Sequence, residues 1–316
     1  MSLESTAGFS GEAGAKAITA GQVPLALGSH SDTWQSFSSC GITRLKPTYG
    51  SVSRYGIISS ASSLDQVSPA GQDIEDCSAL LSIISGPDDK DSTCIIKEPF
   101  EFNSTGKSKN IRIGFPVNCF SGVDEEIKTA VFAAAKEIET AGASSLEEFE
   151  MPLMDYALPV YEIIEAAEAG SNLAKYDGLK FGYRSDNAKT LPDIYRLSRS
   201  EGFGYEVKRK IMLGSFVLSA GQYNIYYKKA LQVRSMIKDS YKKLFEYFDI
   251  IVSPVTSDIT ASVSLTGLPA VYLPCGFDKK GLPIGLQLIG SAFSENLLIN
   301  TARIYQTRTN FHKINT

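Results

Sequence analysis

The chain has 316 residues, of which 43% are apolar and 21% charged, and its formal net charge is −4. This is the composition of an ordinary soluble globular protein, and it offers no basic field able to hold nucleic acid unaided. No apolar run reaches the ~18 residues of a membrane helix, and the opening MSLESTAGFSGEAGAK has neither a secretory nor a transit pattern.

Residues 1–13 read as flexible, and GEAGAKAITAG reads as a short Ala-rich helix ending at Gly21. Residues 23–27 suit a buried strand. The Ser-rich stretch GSHSDTWQSFSSCG follows, then KPTYG. A strand feeding a loop crowded with hydroxyls can hold a nucleophile and oxyanion donors rigidly; the same pattern also describes a polar surface loop. Over residues 73–84, Ile74, Cys77, Leu80, Leu81 and Ile84 recur at three- and four-residue steps, which predicts an amphipathic helix stopped by Gly86-Pro87. Residues 86–109 form a polar connection, 110–117 a strand, and 125–141 a helix with Ile127, Ala130, Val131, Ala134 and Ile138 on one face. Residues 157–176 read as helical, and 199–248 hold two more helical stretches.

Near the C-terminus, 249–255 is a strand candidate, and TSDITASVSLTG reads as a short link. Residues 270–275 and 284–289 form a hairpin across 278–281, and 295–306 a closing helix. Strands alternating with helices of these lengths argue an α/β sheet covered on both faces. No internal repeat and no domain boundary is visible, so residues 1–316 read as a single domain.

Reactive residue types are few. Cys40, Cys77, Cys94, Cys119 and Cys275 are scattered without CxxC spacing and read as thiols of a reducing compartment, not a disulfide frame or zinc site. The two histidines are His30, inside the Ser-rich loop, and His312, in a polar tail. A Ser-His-Asp triad would have to use His30, which is poorly placed to reach a neighbouring serine, and metal sites face the same shortage. A serine hydrolase on this chain would take its base from a lysine of lowered pKa, or from a second serine relaying to one. Neither GxGxxG nor GxxxxGK[ST] is present, so nucleotide binding by those routes is not expected. Lys46 reads as a structural loop residue packing its stem, and Asp65 as a carboxylate ordering its loop by accepting N–H bonds.

The segments GQVPLALGS, CGITRLKPTYGSVSRYGIISSASSLDQVSP, GSNLAKYDGLKFGYRS, RSEGFGYEVKRKIMLGSFVLSAGQYNIYYKKA and GLPAVYLPCGF with GLPIGLQLIG resemble the amidase signature family almost continuously over residues 14–306. Within it they are most similar to the A subunits of glutamyl-tRNA(Gln) amidotransferase. The resemblance implies an α/β fold with a mixed central sheet flanked by helices on both faces, and a Ser-cisSer-Lys triad that hydrolyses an amide. In the A subunits that amide is glutamine. Its ammonia passes to a B subunit that amidates Glu-tRNA(Gln), while a C subunit braces the pair. No cofactor is expected in this chain, since ATP and Mg belong to the partner subunit. The implied compartment is cytoplasmic, or mitochondrial or plastid; secretion and membrane insertion are not expected. The cluster Tyr223, Tyr226, Tyr227, Lys228 and Lys229 is open to two readings, a face toward tRNA or a partner and a solvated, snorkelling helix face.

Carried over residue by residue, the resemblance is uneven. No segment matches the family's lysine-bearing strand, which gives the expectation that the chain lacks the family's N-terminal part. GFSGEAG stands where the family has GGSSGGS, leaving Ser10 as the cis-serine candidate. Where the family has GSDTGGSIR, an ungapped match from Gly28 puts Trp34 at the nucleophile position, and a two-residue slip puts Ser36 there. Both alignments lose the two glycines whose backbone freedom turns successive N–H groups toward an oxyanion. On the substrate side, Tyr161 matches the tyrosine near the bound amide. The carboxylate-gripping arginine falls at Arg209 or at Lys210. Lysine at that position would replace a bidentate fork with a point charge. The family's acidic segment after the 249–255 strand has no counterpart. Three functional readings follow: an amidase subunit of the tRNA-linked kind, a catalytically deficient remnant that docks partner subunits, and a general small-amide amidase.

Overall fold

The hairpin expected across residues 278–281 lies at the heart of an eight-stranded sheet. Its strands, β7 (Ala270–Phe277) and β8 (Pro283–Gly290), pair antiparallel with a bulge between Pro274 and Gly276. Asp278 closes the turn, its Oδ1 accepting the N–H groups of Lys280 and Leu282 at 2.8 Å each. The structure, a computed structural model, describes residues 12–29, 40–96, 98–103 and 110–313.

The other strands are β1 (Leu25–Ser29), β2 (Thr43–Lys46), β3 (Val67–Gly71), β4 (Arg112–Pro116), β5 (Ser145–Phe149) and β6 (Ile250–Pro254). They lie in the order β1-β3-β2-β7-β8-β6-β4-β5. Pairing is antiparallel from β1 to β6 and parallel for β6/β4 and β4/β5, so the sheet is mixed, as expected.

Three helices cover one face: α2 (Ile74–Ile84), α3 (Glu125–Thr140) and α9 (Glu295–Arg308). Their apolar stripes meet Leu45, Val252, Val271, Leu273, Leu286 and Leu288 in the main core, where Cys77, Leu81, Val131, Ile138 and Leu298 are buried. Asp73 starts α2 by accepting the Asp76 N–H at 2.8 Å. Buried Gln306 of α9 takes the Ile74 N–H at 2.9 Å and donates to Thr43 Oγ1 at 2.8 Å, tying α9 to α2 and to β2. At the β1 edge lies the short helix α1 (Glu12–Thr19), with Ala15 and Ile18 buried against Ala70.

The remaining helices are α4 (Ala157–Asn172), α5 (Leu191–Gly202), α6 (Tyr205–Val217), α7 (Tyr227–Tyr247) and α8 (Ser257–Thr266). Residues 257–266 correct the expectation of a short link: they form a helix in which every residue from Ile259 to Leu265 is buried. Its hydroxyls hid it, because Ser and Thr usually favour caps and turns. Here they bond back to the preceding turn, Thr260 to the Thr256 carbonyl, Ser264 to Thr260 and Thr266 to Ser262. Buried Tyr241 of α7 meets Ser262 Oγ at 2.7 Å.

The chain resolves into two compact units. Unit 1 takes residues 1–56, 66–158 and 235–316, with the sheet; unit 2 takes residues 57–65 and 159–234. Two of the crossings fall inside helices, in α4 at Leu158/Pro159 and in α7 at Arg234/Ser235. No linker composition marks those crossings, which is why no boundary is visible in the sequence.

Candidate functional site

Two groups of residues carry the chemistry, one in each unit. In unit 1 the described residues that flank the Ser-rich segment in sequence are β1, β2 and the KPTYG stretch. β1 ends at Ser29, and Cys40 begins the approach to β2. Ser10, Trp34 and Ser36 lie outside the described residues, as do residues 1–11 of the segment 1–13 expected to be flexible; its last two, Glu12 and Ala13, lie instead in the first turn of α1.

The KPTYG stretch is held at nearly every polar atom. Lys46 Nζ donates to the Leu268 carbonyl at 2.5 Å, and the Pro47 carbonyl accepts from Gln66 Nε2 at 2.8 Å. Thr48 gives its N–H to Glu295 at 2.7 Å and accepts the Phe293 N–H at 2.8 Å, and Tyr49 gives its N–H to the Gly267 carbonyl at 2.9 Å. Gly50 has φ of 84°, and a Cβ there would lie 2.6 Å from the Thr93 carbonyl oxygen, so only glycine fits the turn.

Lys46 is fully buried. Burial, with the Arg44 guanidinium nearby, pushes its ammonium down to about 7 against the opposing pull of Glu295. A lysine that is half neutral near pH 7 has the acidity of a base, but this one is enclosed on a backbone carbonyl. It is a structural residue, as expected, though it belongs to a strand and not to the loop.

Arg44, two residues before it on β2, was not anticipated. It begins a directly opposed cross-strand row, Arg44–Tyr272–Gln287–Ser253, spanning β2, β7, β8 and β6. All four residues are at most 2% exposed. Gln287 Nε2 donates to Tyr272 Oη at 3.1 Å, and Arg44 reaches the Ser29 carbonyl at 3.4 Å. Burial lowers the Arg44 guanidinium to about 10. The face of the sheet opposite the main core is thus polar along this row, since successive residues of a strand point to opposite faces. The only sequence signal is the alternation of Arg44 and Lys46 in the four-residue strand TRLK.

In unit 2, α4 and α6 cross closely. A Cβ on Gly214 would stand 2.0 Å from the Ala166 carbonyl oxygen, so the absence of a side chain there permits the approach. The crossing sets Lys210 of α6 against α4, where its Nζ lies 2.8 Å from Glu165 Oε1. Tyr161, one turn earlier on α4, is 3% exposed. Arg209 points to solvent and pairs with Glu206 at 2.9 Å. Of the two positions open for the substrate cation, Lys210 is therefore the one beside Tyr161's helix, and Arg209 is an exposed intrahelical partner.

A second network adjoins in the same unit. Glu168 accepts the Ser63 N–H at 2.8 Å and its hydroxyl at 2.6 Å, while Arg234 donates to Ser63 Oγ at 2.7 Å and to the Ser63 carbonyl at 3.0 Å. Asn172 Nδ2 holds the Ser60 carbonyl at 2.9 Å. Asp65 orders the 59–65 loop by accepting from Ser59 Oγ at 2.7 Å and the Ser60 N–H at 3.1 Å. Glu165, Glu168 and Arg234 went unread in the sequence because, on one-dimensional spacing, each looks like an ordinary helix charge. Tyr223 and Tyr226 are 44% and 37% exposed.

An open apolar cleft of about 620 Å³, lined by Phe115, Val117, Phe120, Lys128 and Phe132, contains none of these residues. Among the described residues, no cluster of three or more His, Cys, Asp or Glu side chains is arranged to hold a metal ion. No described helix is long and apolar enough to cross a membrane.

The Amidase family model matches residues 1–261 and 256–299. The chain belongs to the amidase family. The A subunit of glutamyl-tRNA(Gln) amidotransferase from Clostridium botulinum is 45% identical over a 337-residue alignment that takes in 99% of this chain and 69% of the relative. The solved structure of the corresponding A subunit from Thermotoga maritima superposes with a TM-score of 0.75 at 32% identity, covering 94% of this chain and 65% of that one. A 6-aminohexanoate cyclic dimer hydrolase shares the fold alone, at 17% identity and a TM-score of 0.76. This member of the amidase family thus spans about two thirds of the length of those relatives.

Proposed function

We propose that the chain acts as the amide-hydrolysing A-type subunit of a tRNA-dependent amidotransferase, cleaving the side-chain amide of glutamine to glutamate and ammonia. The observation that carries this is the 45% identity to the A subunit of glutamyl-tRNA(Gln) amidotransferase, sustained over 99% of the chain. The ammonia serves a B-type partner that amidates Glu-tRNA(Gln), with a C-type subunit bracing the pair and with ATP and Mg held by the partner. Ser36 is the nucleophile candidate in this reading and Ser10 the candidate relay serine, the lysine that takes the proton at the end of the family's relay having no match among these residues, while Tyr161 and Lys210 are the candidates on the substrate side. The inward-turned Lys210 is favoured over Arg209, whose guanidinium is exposed and already engaged by Glu206.

The test is a glutaminase assay on the purified chain, alone and with B and C subunits. Expected is glutamate release with the partners present and its loss in Ser36→Ala. Turnover unaltered by Ser36→Ala removes that serine from the mechanism. Absence of turnover despite co-purification with the B subunit refutes the catalytic reading and leaves a docking role.

A further inference from the structure

The strand β5 ends the sheet, and among the described residues no strand pairs with its far side, so alternate N–H and C=O groups along it face away from β4. Beside this edge opens the apolar cleft of about 620 Å³. Phe115 belongs to both features: it lines the cleft and lies directly across from Glu148 in the parallel register. Cross-strand neighbours share a face, so Glu148 stands on the cleft side of the edge and Glu147 on the other. The short turn Val117–Phe120 walls the cleft and is clamped to the chain just beyond β5. Asn118 Nδ2 donates to the Met151 carbonyl at 2.9 Å, and its Oδ1 accepts the Met151 N–H at 2.8 Å. Inside, the Phe115 ring stacks on Phe120 with centroids 4.8 Å apart and meets Phe132 edge-on at 5.6 Å. Phe132 and Val117 are 41% and 39% exposed, so apolar surface is left in water. An edge guarded only against stray pairing is served by its charges and has no use for an aromatic recess.

Charge selects the occupant. Glu147, Glu148 and, one residue past the strand, Glu150 are exposed, and among the described residues none of the three joins an ion pair. Arg112, whose charge reaches Glu147, is held on Asp249 at 3.0 Å, and Lys128 in the cleft pairs with Glu125 at 3.4 Å. A second copy of the chain pairing edge to edge would set these carboxylates against their own kind, and nucleic acid would meet the same repulsion. A basic strand meets neither obstacle. We infer that β5 and the cleft form a docking site for an extended segment of a partner protein. The segment adds to the sheet as a further strand, sets lysine or arginine beside Glu147 and Glu148, and inserts an aromatic or branched apolar side chain into the cleft. This surface is independent of the amidase reading.

The test measures, by fluorescence anisotropy with the full chain, the binding of a short labelled peptide in which lysines flank a central phenylalanine. Saturable binding is expected, weakened ~10-fold or more by Glu148→Lys, an exposed position, and by Thr129→Trp, which fills the cleft from its exposed rim. Should Thr129→Trp fail to fold, replacing the peptide's phenylalanine by alanine reads the same contact on the wild-type chain. Methylating the peptide's alternate backbone nitrogens should abolish binding in one of the two registers and spare it in the other, since a strand on an edge donates from one side only. Binding that survives both methylation registers would reduce the contact to charge attraction and overturn the inference. So would binding indifferent to Thr129→Trp and to loss of the peptide's ring, because the cleft would then hold no anchor. A dimer in sedimentation that dissociates in Glu148→Lys would make a second copy the occupant and overturn it. Absence of peptide binding overturns it as well, and indole binding in that case would mark the cleft as a small-molecule pocket.

Discussion

Replacing Gly214 by alanine tests how α4 and α6 are held together. A methyl group there would lie 2.0 Å from the Ala166 carbonyl oxygen and 2.8 Å from its carbon. Both atoms are backbone, so no rotamer change relieves the clash, and the helices must part by more than about 1 Å to restore van der Waals distance. Overpacking of this kind costs ~1–3 kcal/mol, and the separation also loosens Lys210, one turn earlier on α6, from Glu165. Against this, alanine regains ~1 kcal/mol of helix propensity over glycine, so a net loss of up to about 2 kcal/mol is expected.

Gly170, on the α4 side of the same crossing, is the internal control. A Cβ there finds its nearest neighbours at 3.5 and 3.6 Å, an ordinary contact, so Gly170→Ala should keep most of the propensity gain and leave stability equal or higher. Urea unfolding followed by circular dichroism reads both variants against wild type. If Gly214→Ala is as stable as wild type, or if the two substitutions shift the midpoint in the same direction by similar amounts, the close backbone approach is not what limits this position.

Three further expectations concern buried polar groups. Lys46 is held near 7 when folded and sits in the ordinary lysine range when unfolded, so between those values the unfolded chain binds the extra proton. Wild type should therefore gain stability relative to Lys46→Met as pH rises from about 7 toward 10, by up to ~1.4 kcal/mol per pH unit; parallel urea midpoints across that range would exclude it. Burial raises the Asp91 carboxyl, but hydrogen bonds from Thr93 and Arg54 outweigh it and hold the group at about 2. Asp91→Asn should cost ~1–3 kcal/mol at neutral pH, and the gap to wild type should close as pH falls from about 4 to 2; a gap that persists would mean the contribution is not ionic. Tyr241→Phe strands buried Ser262 without its tyrosine partner and should lower stability by about 1 kcal/mol in chemical denaturation, with no change in any pH dependence.

The parts of the fold legible in the sequence share one property: their faces differ in polarity. The helices α2, α3 and α9 present an apolar stripe, and the hairpin announces its turn through Asp278 and Gly281. Elements without such contrast escaped. β3, VSPAG, carries a proline and small residues, and β5, SLEEF, is an edge strand with two glutamates. The helix α5 was passed over although Thr190 and Asp193 form a capping box with Pro192 in the first turn, a start signal readable from the chain alone. The helix α8 is buried on all sides, so its pattern has no period to detect.

For the site, motif order and spacing already settle the family and the residues to consider, because both are one-dimensional properties. The sequence also placed Tyr161 and the Arg209-Lys210 pair on helices. What it left open was which of those two cations turns inward, since adjacent helical residues point about 100° apart and only the packing partner decides between them. The α4–α6 crossing at Gly214 made that choice, setting Lys210 against Glu165 and leaving Arg209 to solvent. The polar row from Arg44 to Ser253 was likewise decided by tertiary structure, because it joins four strands drawn from residues 43 to 290, and strand register is a property of the folded sheet.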